Sequence, residues 1–333
     1  LVEQPEHIHA RRPMAETKEG PLTKSYILIP FVLVCAGIAA AALAPLLKVL
    51  VDAVRGKDTK LYRVFYRCAG VFALLLFVWL RKHLKSQVKT SINPKQSPPG
   101  KPFIGGFLIG VVALLVVAAV MAVLGGGRFI NPHITAAAFW NAFGAALGTA
   151  IVVAFFEEVF FRGIVFQGLR ADLGTGLATI TAAAFFGLVH FMRPRELPKV
   201  SGSDPLGGFK VLVHSFERYS NFNEILPFAI GLFLIGILLT VAYLRTSALF
   251  LPMGLHASLV FFSKLDRVFF NYGGKGSVFI FGSPDPYPSF LKGVDALLTW
   301  IMIVGLTIVI AVLGNKFQSR GGEGPSRGKG ASK

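Results

Sequence analysis

Apolar runs close to the length of a bilayer crossing recur through the sequence, and they restrict the fold more than any other feature. They cover approximately residues 26–47, 64–80, 103–124, 136–171, 174–192, 225–244, 247–263 and 293–314. Such a run, coiled as an α-helix, matches the ~30 Å hydrocarbon core of a membrane. Lipid offers open backbone groups no hydrogen-bond partner, so each run is predicted to cross as a helix. The second and seventh runs are short for a span and are expected to extend into their polar flanks. The predicted fold class is all-α, a polytopic membrane helix bundle of about eight transmembrane helices.

Composition enters as the check on that reading. Of the 333 residues, 53% are apolar and only 15% charged, against roughly 25% charged in soluble domains. That balance excludes a disulfide-stapled secreted scaffold, a disordered chain and an ordinary cytosolic enzyme. Cys35 and Cys68 lie in or beside apolar runs, which argues against a structural bridge or a cysteine metal site. The 34 Lys and Arg outweigh the 17 Asp and Glu, for a net charge of +17. The basic residues gather between the apolar runs and in the tails, where anionic lipid headgroups are their expected partners. No nucleic-acid motif accompanies them, so nucleic acid is not an expected partner. Lys and Arg divide almost evenly between the two faces, so charge does not fix orientation; cytoplasmic termini are the expectation. The expected location is a bacterial plasma membrane, as a multi-pass integral protein.

Three parts follow. Residues 1–25 form an N-terminal tail; the chain opens at Leu1, Met14 offers a start, and the residues before it are expected to be non-native. Residues 26–314 form the membrane domain, its first run a retained span rather than a signal peptide. Within it, 81–102 is a basic, Pro-rich linker and 193–222 the longest internal connector. The segment 264–292, rich in Gly, Pro and aromatics, is expected to fold over one mouth of the bundle. Residues 315–333 form a basic, Gly-rich tail expected to be disordered. The pairs Gly106…Gly110 and Gly144…Gly148 suit close helix contact.

Chemistry concentrates in few residues. Of the acidic residues, only Glu157 and Glu158 fall deep in an apolar segment, IVVAFFEEVFFRGIVFQG. A charge at a helix centre costs roughly 2.5–3.5 kcal/mol on insertion scales, so such residues need a reason. Arg162 supplies one for Glu158, its i,i+4 neighbour on one helix face, as a pair that could equally be a structural clamp. Glu157 points about 100° away and has no cation on its own helix. Among seven histidines, only His190 and His256 lie in or at the end of apolar runs. The turn at 171–175 puts Glu158 and His190 each about 23 Å along antiparallel helices, at one level. His256 follows the turn near Arg245–Thr246 by about 15 Å and is expected somewhat shallower. Convergence of these groups in a wet cleft suits hydrolysis, with Glu as base and His orienting water, donating to an oxyanion or binding metal. No H-E-x-x-H pattern occurs, and G-x-S-x-G occurs just once, as Gly324–Pro325–Ser326–Arg327–Gly328 in the basic Gly-rich tail, without the strand-to-helix setting a serine elbow needs.

Glu157–Glu158–Val159–Phe160–Phe161–Arg162 forms an E-E-x-x-x-R motif, and Phe186–Gly187–Leu188–Val189–His190 forms F-x-x-x-H. With the run Leu244 to His256 and in this order within apolar segments, they resemble the CPBP (Abi) family of intramembrane proteases, which includes type II CAAX prenyl proteases. The resemblance covers about 136–263. It implies an intramembrane endopeptidase acting on a membrane-associated or lipidated protein, with Glu157 as the water-activating base and His190 positioning the water. Glu158 with Arg162 would brace the site, and His256 would contribute to the oxyanion pocket. A divalent metal such as zinc, held by Glu157, His190 and His256, and metal-free water activation are both open. The third motif commonly carries Asn or Asp four residues after its His, and Val260 stands there. Either Ser258 or Ser263 substitutes, or activity is weak, or the protein is a silent scaffold or immunity-type binder. A proton-coupled transporter is the remaining alternative, though no internal repeat supports it.

Overall fold

The computed structural model describes residues 24–80, 100–123, 134–192, 204–269 and 289–319. Every regular element among them is helical, and no strand occurs among the described residues. The elements are α1 (Ser25–Arg55), α2 (Leu61–Leu80), α3 (Gly100–Val123) and α4 (Ala136–Glu158). A π-helix (Val159–Phe166) then continues α4 into α5 (Gln167–Val189). Next come α6 (Gly207–His214), a 3₁₀ turn (Glu217–Asn221), α7 (Phe222–Thr246), α8 (Phe250–Phe269) and α9 (Ser289–Ser319). Among the described residues each of the eight apolar runs lies mainly in a helix, with 190–192 and 247–249 outside the helices. The two short ones extend as expected, α2 by three residues at its start and α8 through the polar flank after 263.

Among the described residues, four helices are long and apolar enough to cross a membrane: Ser25–Arg55, Gly100–Val120, Ala136–Val189 and Ile225–Thr246. Phe250–Leu265 and Leu297–Leu313 are shorter apolar helices. The 54-residue stretch from Ala136 to Val189 would be about 81 Å long if straight, more than two membrane cores. It reverses at Gly174, whose φ of 75° and ψ of 170° lie outside the helical region. A side chain there would be strained, because positive φ brings Cβ against the backbone. Asp172, in the same turn, accepts a hydrogen bond from the Ser25 N–H and so ties the start of α1 to this reversal.

Packing relies on small residues, as expected where lipid supplies no hydrophobic drive between helices. A Cβ on Gly106 would lie 2.4 Å from the Leu251 carbonyl, and one on Gly110 would lie 1.8 Å from Ser258 Oγ. Gly254 answers from the other side, where a Cβ would come within 2.0 Å of the Phe103 carbonyl. These three glycines let α3 and α8 touch backbone to backbone, and α8 packs its other side on α4. The second small pair behaves otherwise. Among the described residues nothing lies within 4 Å of a Cβ on Gly144 or Gly148, so that pair makes no close helix contact there.

The π-helix runs through the middle of the bundle. Every residue from Phe161 to Leu169 is buried, a run that a helix with one lipid-facing side could not produce. The outer helices show the opposite pattern: Leu108, Val112 and Leu115 on α3 are each more than half exposed. Such apolar exposure suits a chain whose solvent is hydrocarbon.

The connector 193–222 is more structured than its composition predicts. Its described part contains α6, which packs on α1: a Cβ on Gly208 would meet the Ala41 carbonyl at 2.0 Å. Sequence reading misses this helix because its glycines look like turn signals, whereas here they serve close approach. Helix α9 likewise runs to Ser319, past the residue where a disordered tail was expected to begin. The tail 1–23, most of the 81–102 linker, the segment 270–288 and residues 320–333 lie outside the described residues.

Candidate active site

All five predicted site residues come together. The last turn of α4 carries Glu157 and Glu158, the π-helix carries Arg162, the C-terminal end of α5 carries His190, and α8 carries His256. Glu158 and Arg162 sit in the interior, 0% and 2% exposed. Arg162 Nη1 donates to Glu158 Oε1 at 2.9 Å, and its Nη2 donates to the Gly236 carbonyl at 3.1 Å. The guanidinium also lies over the Phe186 ring, 4.9 Å from its centroid. A buried cation is thus met by a carboxylate, a carbonyl and an aromatic face, which offsets its desolvation.

Gly236 makes this possible and sequence reading gave no sign of it. A Cβ there would stand 2.8 Å from Ala183 Cα. Its absence brings α7 against α5 and carries the carbonyl within reach of Arg162. Within LFLIGILLT this residue looks like any membrane-helix glycine. The π-helix is also illegible beforehand, since its sequence VFFRGIVF has the ordinary apolar pattern. Such bulges are frequent at functional sites.

His256 is deeper than predicted. Its Nδ1 lies 2.7 Å from Glu158 Oε1, although helix arithmetic placed it shallower. The turn before α8 is partly buried: Ala248 and Leu249 are 2% and 0% exposed, while Ser247 is exposed. A carboxylate can only accept, so His256 donates through Nδ1–H and turns Nε2 toward Glu157.

Glu157 sits where the two histidines meet. Its Oε2 is 3.6 Å from His190 Nε2 and 3.7 Å from His256 Nε2. Both gaps exceed hydrogen-bond length. That oxygen is buried and has no hydrogen-bond partner among the described residues. His190 Nδ1 lies 2.6 Å from the Phe186 carbonyl and must donate to it. In the neutral ring, Nε2 then carries the lone pair that faces Glu157. The Tyr219 hydroxyl donates to the Leu188 carbonyl at 2.6 Å, holding the helix end that bears His190.

Glu157 also lines a cavity of about 750 Å³ between α1, α2, the α4–π-helix junction and α5. Its walls are mostly apolar, with Leu33, Phe65, Leu74 and Phe185 among them. The Glu157 and His190 side chains are each 31% exposed, whereas His256 is only 6% exposed. One side of the cluster is therefore reachable, and the other is closed.

The residues do not fit a metal centre. Among the described residues, no group of three His, Cys, Asp or Glu side chains is arranged to hold an ion. The histidine Nε2 atoms and Glu157 Oε2 are present, but Glu158 Oε1 is already taken by Arg162 and His256. The two serines that could replace the missing polar residue at Val260 are also engaged. Ser258 Oγ donates to the Leu255 carbonyl and faces α3 at Gly110, and Ser263 Oγ donates to the Val260 carbonyl. Val260 itself packs with the cluster of Ala150, Ala154 and Phe261.

No curated protein and no solved structure matches the chain significantly. Residues 139–262, which contain all five site residues, match the family model described as type II CAAX prenyl endopeptidase Rce1-like, and at family level this supports an intramembrane protease of the CAAX type.

Proposed function

We propose that the protein is an intramembrane endopeptidase that hydrolyses a peptide bond of a membrane-associated or lipidated protein with water activated by Glu157. One observation carries this reading. A buried carboxylate oxygen without a hydrogen-bond partner among the described residues faces two imidazole nitrogens at 3.6 and 3.7 Å, and the residue that bears it lines an apolar cavity. A water between these groups donates one hydrogen to Glu157 Oε2 and the other to His190 Nε2, whose lone pair is directed there by the Phe186 carbonyl. Glu157 removes the water proton as the oxygen adds to the scissile carbonyl carbon. The tetrahedral oxyanion is met by His256, whose ring Glu158 orients so that Nε2 faces the site. Collapse breaks the C–N bond, and the proton on Glu157 passes to the leaving amine. Glu158 and Arg162 do not touch the reacting atoms; they position His256. No step runs through a metal.

The direct test is cleavage of a quenched peptide panel by the purified full chain in detergent, beside Glu157→Gln and His190→Ala. Loss of a general base lowers rate by about 10²- to 10⁴-fold. A second reading is favoured by Val260, whose side chain offers no hydrogen bond where the resembling family commonly has Asn or Asp. In that reading the protein is a silent scaffold or immunity-type binder. Cleavage indistinguishable from Glu157→Gln across the panel, with intact binding of a membrane partner, would favour it.

A further inference from the structure

Helix α6 and the residues beside it carry apolar side chains on two opposite faces. At about 100° per residue, Gly207, Gly208, Val211 and Ser215 share one face, and all four are buried. Val211 packs with Ala41 and Phe65, and Ser215 meets the Tyr66 hydroxyl at 2.6 Å, so this face belongs to α1 and α2. Leu206, Phe209, Val213 and Phe216 point the other way and are exposed, Val213 by 69%. Lys210 and His214 lie on the flank between the two faces. Lys210 Nζ donates to Asp204 Oδ2 at 2.6 Å, and His214 Nε2 is 3.4 Å from Glu217 Oε1.

The level of α6 decides what its outer face meets. Helix α1 begins at Ser25, tied to Asp172 in the reversal at Gly174, where Lys24 and the exposed Arg170 mark a polar boundary. A Cβ on Gly208 would meet the Ala41 carbonyl, and one on Gly37 would lie 3.4 Å from Leu212 Cδ1. Ala41 and Gly37 are about 24 and 18 Å along α1 from Ser25, short of the ~30 Å depth of a hydrocarbon core. Tilt of α1 only lowers these heights. From Gly208 to Leu212, α6 thus descends alongside α1 from the far edge of the core toward its middle.

We infer that α6 dips into the membrane and that its outer face, Leu206, Phe209, Val213 and Phe216, is a lipid-docking surface covered by acyl chains. Backbone at this depth needs its polar groups met. The last turn of α6 meets that need locally: Ser215 Oγ donates to the Val211 carbonyl, and His214 Nδ1–H donates to the Lys210 carbonyl. Lys210 reaches back to Asp204, nearer the surface, as a long basic side chain does at a membrane edge. Asp204 and Glu217 balance Lys210 and Arg218, so acyl contact rather than attraction to anionic headgroups holds the segment. The consequence reaches the candidate site. Leu212 and Ser215 line the cavity beside Glu157, and Tyr219, in the 3₁₀ turn that follows, holds the Leu188 carbonyl. One wall of that cavity therefore rests directly on lipid. The inference stands independently of the role given to Glu157.

The test places a nitroxide label on single cysteines of the full chain, in a background of Cys35→Ala and Cys68→Ala, reconstituted in phosphatidylcholine vesicles. Oxygen concentrates in hydrocarbon and a water-soluble nickel chelate is excluded from it, so the two collision rates report what surrounds the label. Labels at Val213→Cys and Phe209→Cys are expected to lose collisions with nickel and gain them with oxygen. Their ratio should match that of Val112→Cys on the outer face of α3, the hydrocarbon reference. Lys57→Cys, exposed in the turn after α1, is the aqueous reference. Nickel reaching Val213 as freely as Lys57 makes α6 part of a water-exposed connector and overturns the inference. Exclusion of both reagents from Val213 and Phe209 overturns it as well, because a second copy or another protein segment then covers the face. Where a melting temperature shows that Val213→Cys or Phe209→Cys does not fold, Leu206→Cys and Phe216→Cys read the same face by the same criteria.

Discussion

His256 Nδ1 stands 2.7 Å from Glu158 Oε1, the same oxygen that accepts from Arg162 Nη1 at 2.9 Å. One carboxylate oxygen thus joins three helical segments, and the imidazole it holds directs Nε2 at Glu157. The orientation of His256 depends on a pair of charges that never meets solvent. Two kinds of substitution separate this bracing from the chemistry beside it.

Removing Arg162 leaves the Glu158 carboxylate buried without its cation. Arg162→Ala is expected to destabilise the protein by about 3–5 kcal/mol, the cost of breaking a buried pair from one side. Removing both charges together, with Glu158→Leu and Arg162→Met, is expected to restore most of that stability without restoring cleavage. Thermal unfolding in detergent read beside peptide hydrolysis checks both halves.

Gly236 offers a steric version of the same test. Gly236→Ala puts a methyl 2.8 Å from Ala183 Cα, and overpacking of this kind costs about 1–3 kcal/mol. The displaced α7 withdraws the carbonyl from Arg162, so cleavage falls with the melting temperature. Ala183→Gly in the same chain relieves part of the clash and is expected to recover part of both readings.

The two small-residue pairs, alike in sequence, are expected to respond differently. Gly110→Ala would place Cβ 1.8 Å from Ser258 Oγ, whereas Gly144→Ala meets nothing within 4 Å among the described residues. The first is expected to lower the melting temperature by the equivalent of about 1–3 kcal/mol. The second is expected to be neutral or slightly stabilising, since alanine is the better helix former. Equal effects would contradict the packing of α3 on α8 described above.

A strong chelator is expected to leave the rate unchanged. No described group of three His, Cys, Asp or Glu side chains can hold an ion, and each step assigned to Glu157, His190 and His256 proceeds with water alone. Peptide hydrolysis after prolonged phenanthroline treatment checks this; a loss reversed by added zinc contradicts it.

Much of this architecture was legible beforehand because membranes simplify the code. Apolar runs become helices since nothing else satisfies their backbone, and charges placed among them stand out. Glu157, Glu158, Arg162, His190 and His256 were visible for that reason. The level of Glu158 with His190 followed from the turn containing Gly174, because two antiparallel helices share one rise per residue. The depth of His256 did not follow, since no local pattern reveals that Ala248 and Leu249, just before α8, are buried. Gly236 and Gly144 show the same limit from another side: both are glycines in apolar helices, and only the neighbour each one faces tells contact from lipid. The cavity beside Glu157 was invisible for a third reason, namely that its walls combine the first two helices with segments more than 80 residues further along the chain.

The most direct measurement is the rate of peptide cleavage by Glu157→Gln against the parent protein, both reconstituted in vesicles and both verified as folded by their melting temperatures. Glu157 Oε2 makes no hydrogen bond among the described residues, so the amide is expected to leave the fold intact while the rate falls by about 10²- to 10⁴-fold. A folded Glu157→Gln protein that cuts at the parent rate would contradict the account.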